Sequence, residues 1–196
     1  MEELEHIDKI EEKIDKFYET LPCQSNMPFP PIKVERQNIE YANMLLDAYS
    51  SSADSEIQAI TQYLYHSKTI KNNTISNALM CTALVEMRHL DALGELIELL
   101  GGKPIYENSN KYFWSTGNIA YVDKNIIYEG EKSKNDKANI REKLEKNIIG
   151  EKNTINGYNN ILRNIKDQYL EKIIIKIISD EQVHIKIFEE LIKKYL

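Results

Sequence analysis

Apolar residues recur along this chain at steps of three and four, the spacing that puts side chains on one face of a helix. Leu4, Ile7, Ile10, Ile14 and Phe17, with charges between them, predict an amphipathic helix over residues 1–19. The stretch LPCQSNMPFPPIKVERQ breaks that rhythm. Its prolines disfavour helix at their own positions and at the residues before them, so an extended connector is expected. A short helix follows over residues 38–49. SSSAD then offers capping residues for a helix near 53–71, and KNNTISNAL for a longer one near 74–100. Gly101-Gly102 and Pro104 mark the end of the longer helix. Residues 103–134 carry no helical period, and KYFWSTGNIAYV within them is aromatic and β-branched enough for an extended or hairpin-like segment. Two helices close the pattern, near 136–165 and 168–195, with Asp167 as cap of the second.

Two helices with a short link, a long connection, and two more helices predict an all-α fold. The specific expectation is an antiparallel four-helix bundle with one long crossover, plus an N-terminal helix. Residues 1–36 form the leading helix and Pro-rich connector, and residues 37–196 form the bundle.

Polar residues interrupt the buried faces at regular places. One stripe runs Leu79, Thr82, Glu86, His89, Leu93, Leu96, Leu100, and another Leu170, Ile174, Ile177, Glu181, His184, Phe188, Leu191, Tyr195. Each of these two helices therefore carries Glu-x-x-His in the middle of its core-facing side. The other two stripes hold one acid each: Glu56 with Ala59, Tyr63 and Ile70, and Glu151 with Leu144, Ile148, Ile155, Tyr158, Leu162 and Ile165. Glu56 and Glu151, Tyr63 and Tyr158, Glu86 and Glu181, and His89 and His184 are all separated by 95 positions. An approximate twofold relation between halves would bring four Glu and two His to one level of the bundle. Unpaired buried carboxylates are very costly. Four of them carry four negative charges, which two divalent cations neutralise. Carboxylate with imidazole suits Fe(II), Mn(II) or Zn(II), and the lack of thiolate disfavours a structural zinc site.

Over residues 45–195, with two Glu-x-x-His motifs, two solitary Glu and two Tyr in register, the chain resembles the ferritin-like superfamily of bacterioferritins, rubrerythrins and manganese catalases. That resemblance implies a di-iron or di-manganese centre. Glu86 and Glu181 would bridge the two metals, Glu56 and Glu151 would be terminal ligands, and His89 and His184 would each cap one metal. Tyr63 and Tyr158 would hydrogen-bond the terminal carboxylates. Thr154 stands where rubrerythrins often have a further Glu. The Pro-rich lead-in, the short helix before Glu56 and the long crossover are more similar to manganese catalases. The resemblance implies an oxidoreductase acting on hydrogen peroxide or dioxygen, with catalase- or peroxidase-like peroxide chemistry as the leading expectation. Ferrous-iron oxidation of bacterioferritin type is the alternative, and a metal-stabilised structural bundle without catalysis is the third. A homo-oligomer is expected.

Composition narrows the remaining classes. A net charge of −6 and the lack of a basic stripe argue against nucleic acid as partner. The apolar runs are far shorter than the ~20 residues a membrane helix needs. The acidic start has no signal-peptide core, so a cytoplasmic protein is expected. Cys23 and Cys81, far apart and in no C-x-x-C pair, are expected as free thiols of a reducing compartment. His66 lies roughly 80° around the helix from Glu56 and is expected as a surface or satisfied packing histidine.

Overall fold

The computed structural model describes residues 9–106 and 136–196. Most of the 103–134 connection, with its expected extended segment, lies outside them, as do residues 1–8. The described residues hold helices α1 (Ile10–Glu19), α2 (Ile39–Leu46), α3 (Glu56–Thr69), α4 (Asn73–Leu99), α5 (Lys137–Asn164) and α6 (Gln168–Tyr195), and no strand. None of these helices is long and apolar enough to cross a membrane.

Local chemistry sets the helix ends. Asn72 Oδ1 accepts from the backbone N–H groups of Thr74 and Ile75 and opens α4. Asp167 Oδ1 accepts from those of Tyr169 and Leu170 and opens α6, while its Oδ2 takes the Glu35 N–H at 2.7 Å. The bonds to the first-turn amides of α4 and α6 satisfy groups that have no partner within their own helix. Helix α4 stops at Gly101, whose φ of +88° is strained for any residue with a Cβ. Between α2 and α3 the chain makes a π-helical turn, Asp47–Ser51, closed by the Ser52 N–H on Asp47 O. The sequence pattern shows only a short helix there. A single wide turn leaves no periodicity to detect.

Helices α3 with α4, and α5 with α6, form two antiparallel pairs that face one another. Two apolar clusters fill the interior. One gathers Leu45, Leu93, Leu96, Ile161, Leu170, Ile174 and Ile177. The other gathers Ile75, Leu79, Ile140, Leu144, Ile148 and Phe188. The Glu and His positions lie along the helices between them. That placement keeps bulk water away from the polar residues on both sides.

Two features of the leading segment go beyond its pattern, and the second overturns an expectation. Ile10, Ile14 and Phe17 on α1 remain 49%, 42% and 48% exposed, so the described residues do not cover that apolar stripe. Nor are the cysteines free thiols: Cys23 and Cys81 form a disulfide. The connector runs against α4 and brings the two Cα atoms to 6.1 Å, inside the usual range for such a bond. Proximity of residues 58 apart in sequence is decided by packing, which cysteine spacing does not reveal. Arg88 strengthens the same contact, lying 4.3 Å from the Phe29 ring centre and 5.6 Å from that of Tyr18.

Candidate metal centre

All six Glu and His side chains singled out by their spacing meet at one depth of the bundle. Each is at most 2% exposed. They fall into two overlapping groups: Glu56, Glu86, His89 and Glu181, and Glu86, Glu151, Glu181 and His184. Within each group one ligand atom per residue lies within 4.8 Å of the others.

Distances separate shared from private residues. Glu86 approaches both imidazoles, at 2.9 Å from His89 Nδ1 and 3.0 Å from His184 Nδ1. Glu181 does the same, at 3.2 Å and 2.8 Å. Glu56 faces only His89, at 3.6 Å, and Glu151 only His184, at 3.4 Å. The imidazole ring centres are 6.3 Å apart. Helical spacing explains the pattern: Glu and His three apart project to the same side, and the two motif-bearing helices turn these sides toward each other.

Tyr63 and Tyr158 are also buried here, and their pairing crosses between the halves. Tyr63 Oη donates to Glu151 Oε1 at 2.5 Å, and Tyr158 Oη donates to Glu56 Oε1. Burial and the facing carboxylates push both phenols well above their ordinary range, so both remain donors.

The electrostatics express the cost of confinement. Burial pushes the Glu56 carboxyl up to about 8, against the pull of His89. Burial, reinforced by Glu181 and Glu86, pushes Glu151 well above the usual carboxylate range. Burial would raise Glu86 too, but the His184 and His89 imidazoles hold it below that range. Burial would lower the two histidines, yet the carboxylates around them hold both well above the usual imidazole range. Four carboxylates in so small a volume cannot all ionise without cations between them. Glu86 Oε1 and Glu181 Oε1 are buried without a hydrogen bond among the described residues, and they belong to the two acids common to both groups. The donor set therefore fits two cations, each with carboxylate and imidazole, and offers nothing that favours a thiolate-bound ion.

Three further residues, unmarked by any motif, belong to this neighbourhood. Asp180 Oδ2 lies 3.1 Å from His89 Nε2. Lys176 Nζ donates to both Asp180 oxygens, at 2.7 and 2.8 Å. The Ser25 N–H donates to Asp180 Oδ1 at 2.7 Å. The available signal was a Lys and an Asp four apart, beside the buried stripe of α6 and just before Glu181. His66 is buried rather than at the surface, as the packing half of its expectation has it.

Two clefts border α5, one against α3 and the other against α2 and the π-helical turn. One, of about 210 Å³, is lined by Gln58, Gln62, Gly150, Thr154, Tyr63 and Glu151. Its neighbour, of about 480 Å³, reaches Tyr158 past Asp54, Asn153 and Gly157. Gln62 donates to Asn147 Oδ1 at 2.8 Å, and Asp54 accepts from Asn153 and Thr154. These bonds span the seam while leaving it partly open.

Two antiparallel helix pairs closing on such a set of acids and imidazoles are the architecture of the carboxylate-bridged bundles. The chain belongs to the ferritin-like domain family, whose model matches residues 46–195. Among named proteins it is similar to a probable manganese catalase of Clostridium acetobutylicum, 24% identical over 184 residues, spanning 83% of this chain and 75% of that protein. Among solved structures it resembles KatB, a manganese catalase from Anabaena PCC7120, with a TM-score of 0.69 at 20% identity over 86% of this chain and 78% of that one. A second structure, of wild-type KatB from Anabaena, gives the same TM-score and identity over 88% and 82%. The likeness to KatB shows a shared fold.

Proposed function

We propose that this chain is a dinuclear oxidoreductase that decomposes hydrogen peroxide. The observation that carries the reading is the pair of overlapping four-residue groups sharing Glu86 and Glu181 in the buried middle of the bundle. In this reading Glu86 and Glu181, common to both groups, would be shared by two cations. Glu56 with His89 would complete the protein ligands of one, and Glu151 with His184 those of the other. When bound, a pair of manganese or iron ions supplies two one-electron changes, so oxidation of one peroxide to dioxygen balances reduction of another to water. The manganese catalase named among the relatives favours manganese and peroxide over iron storage.

The protein's own residues set the conditions. The apolar clusters exclude bulk water and leave the α3–α5 cleft as the route for a molecule as small as peroxide. Tyr63 and Tyr158 hold the two outer carboxylates from the opposite half, which fixes each oxygen's direction without adding charge.

The test is reconstitution. Protein stripped with chelator and reloaded with Mn(II) or Fe(II) is mixed with peroxide, and dioxygen is followed with an electrode. Two ions per chain and catalytic dioxygen release are expected. Fully loaded protein that leaves peroxide intact refutes the reading.

A further inference from the structure

The two halves support their histidines unequally. His89 Nε2 faces Asp180 Oδ2 at 3.1 Å, and that carboxylate is held by Lys176 Nζ and by the Ser25 N–H. Lys176 Nζ also reaches Ser25 Oγ at 3.2 Å. Across the site, His184 Nε2 is buried and has no hydrogen-bond partner among the described residues. The internal repeat shows why. Ninety-five positions before Asp180 stands Val85, and the same distance before Lys176 stands Cys81, which is in the disulfide.

Both imidazoles turn Nδ1 toward the carboxylate cluster. A histidine that offers Nδ1 to a cation keeps its proton on Nε2. A carboxylate accepting that N–H locks the tautomer and the ring's direction, and makes Nδ1 the stronger donor. Asp180 does this for His89. Lys176 cancels the charge of Asp180, so the four Glu carboxylates still balance two divalent cations. His184 has a hydrogen with nowhere to go among the described residues and a ring steered only by its packing.

We propose that Asp180 is a positioning residue that makes the two cation sites unequal, the Glu56–His89 side taking its ion first and holding it more tightly than the Glu151–His184 side. The proposal rests on the dinuclear reading above.

Titration of Mn(II) into stripped protein, followed by calorimetry and by electron paramagnetic resonance, tests it. Two steps are expected, the first roughly ten-fold or more tighter, the size of effect such hydrogen-bond partners have on metal affinity. One equivalent should give the spectrum of an isolated Mn(II), and the second should convert it to a coupled pair. Glu56→Gln should abolish the tight step, and Glu151→Gln the weak one. The double variant Lys176→Met/Asp180→Asn removes both buried charges together and so leaves neither orphaned. It should weaken the tight step about 10–100-fold and leave the weak step in place. Two steps of equal affinity in the unaltered protein overturn the proposal while leaving the dinuclear reading intact. So does a double variant that weakens both steps alike. Protein that binds no Mn(II) or only one ion removes the dinuclear reading itself, and this proposal with it.

Discussion

Breaking the Cys23–Cys81 bond isolates one energetic contribution with little else changed. The bond joins residues 58 apart, pinning the Pro-rich connector to α4. In the chain-entropy description, a crosslink removes loop freedom from the unfolded chain. Closing a loop of this length stabilises the fold by about 4 kcal/mol, between the values for short and hundred-residue loops. For a chain of this size each kcal/mol moves the melting midpoint by about 2–4 °C, so reduction should lower it by ~8–16 °C. Reduction is a cleaner perturbation than mutation because both sulfurs stay in place and no cavity forms beside the buried Cys23. Circular dichroism at the helical minimum, with and without a phosphine reductant, measures the shift. Chelator must be present in both samples, because bound metal would add its own stabilisation. Mass mapping must show the linked peptides before reduction. A midpoint that moves by less than about 3 °C in verified oxidised and reduced protein would mean that the connector is held by its packing. The loop-entropy argument would then be wrong for this chain.

Other outcomes follow from the same geometry. Glu86→Gln or Glu181→Gln damages both cation groups, whereas Glu56→Gln damages one. Metal analysis should therefore give well under one ion per chain for the first two and close to one for the third. Gly150 lines the smaller cleft, and a Cβ there would meet only Asp54 Oδ1, at 3.9 Å. Gly150→Leu should thus keep full metal content and lower kcat/KM for peroxide by about ten-fold, since it obstructs access alone; unchanged kinetics would assign the route elsewhere. Burial, helped by Lys143, lowers the His66 pKa from 6.5 to about 3. The unfolded chain therefore binds the extra proton first as pH falls. His66 costs no stability above pH 6.5, and stability is lost progressively from there down toward 3, with a slope of at most one proton. Urea midpoints measured across that window should show the decline, and His66→Gln should flatten it.

Spacing alone determined the helices that build the bundle and the six polar residues that meet inside it. Side chains three and four apart share a helical face whatever surrounds the helix, so a buried stripe broken by Glu and His is legible from the letters. The 95-residue offset then put both halves in register. Tertiary structure alone decided how the halves engage: Tyr63 bonds Glu151 and Tyr158 bonds Glu56, each across the bundle. It also joined Cys23 to Cys81, against the expectation of free thiols, and placed Asp180 behind His89 with no counterpart behind His184 among the described residues. Those contacts depend on which helix lies beside which and on where an irregular connector comes to rest. Periodicity carries none of that, because it describes each helix by itself and contacts between helices are set only when all of them pack.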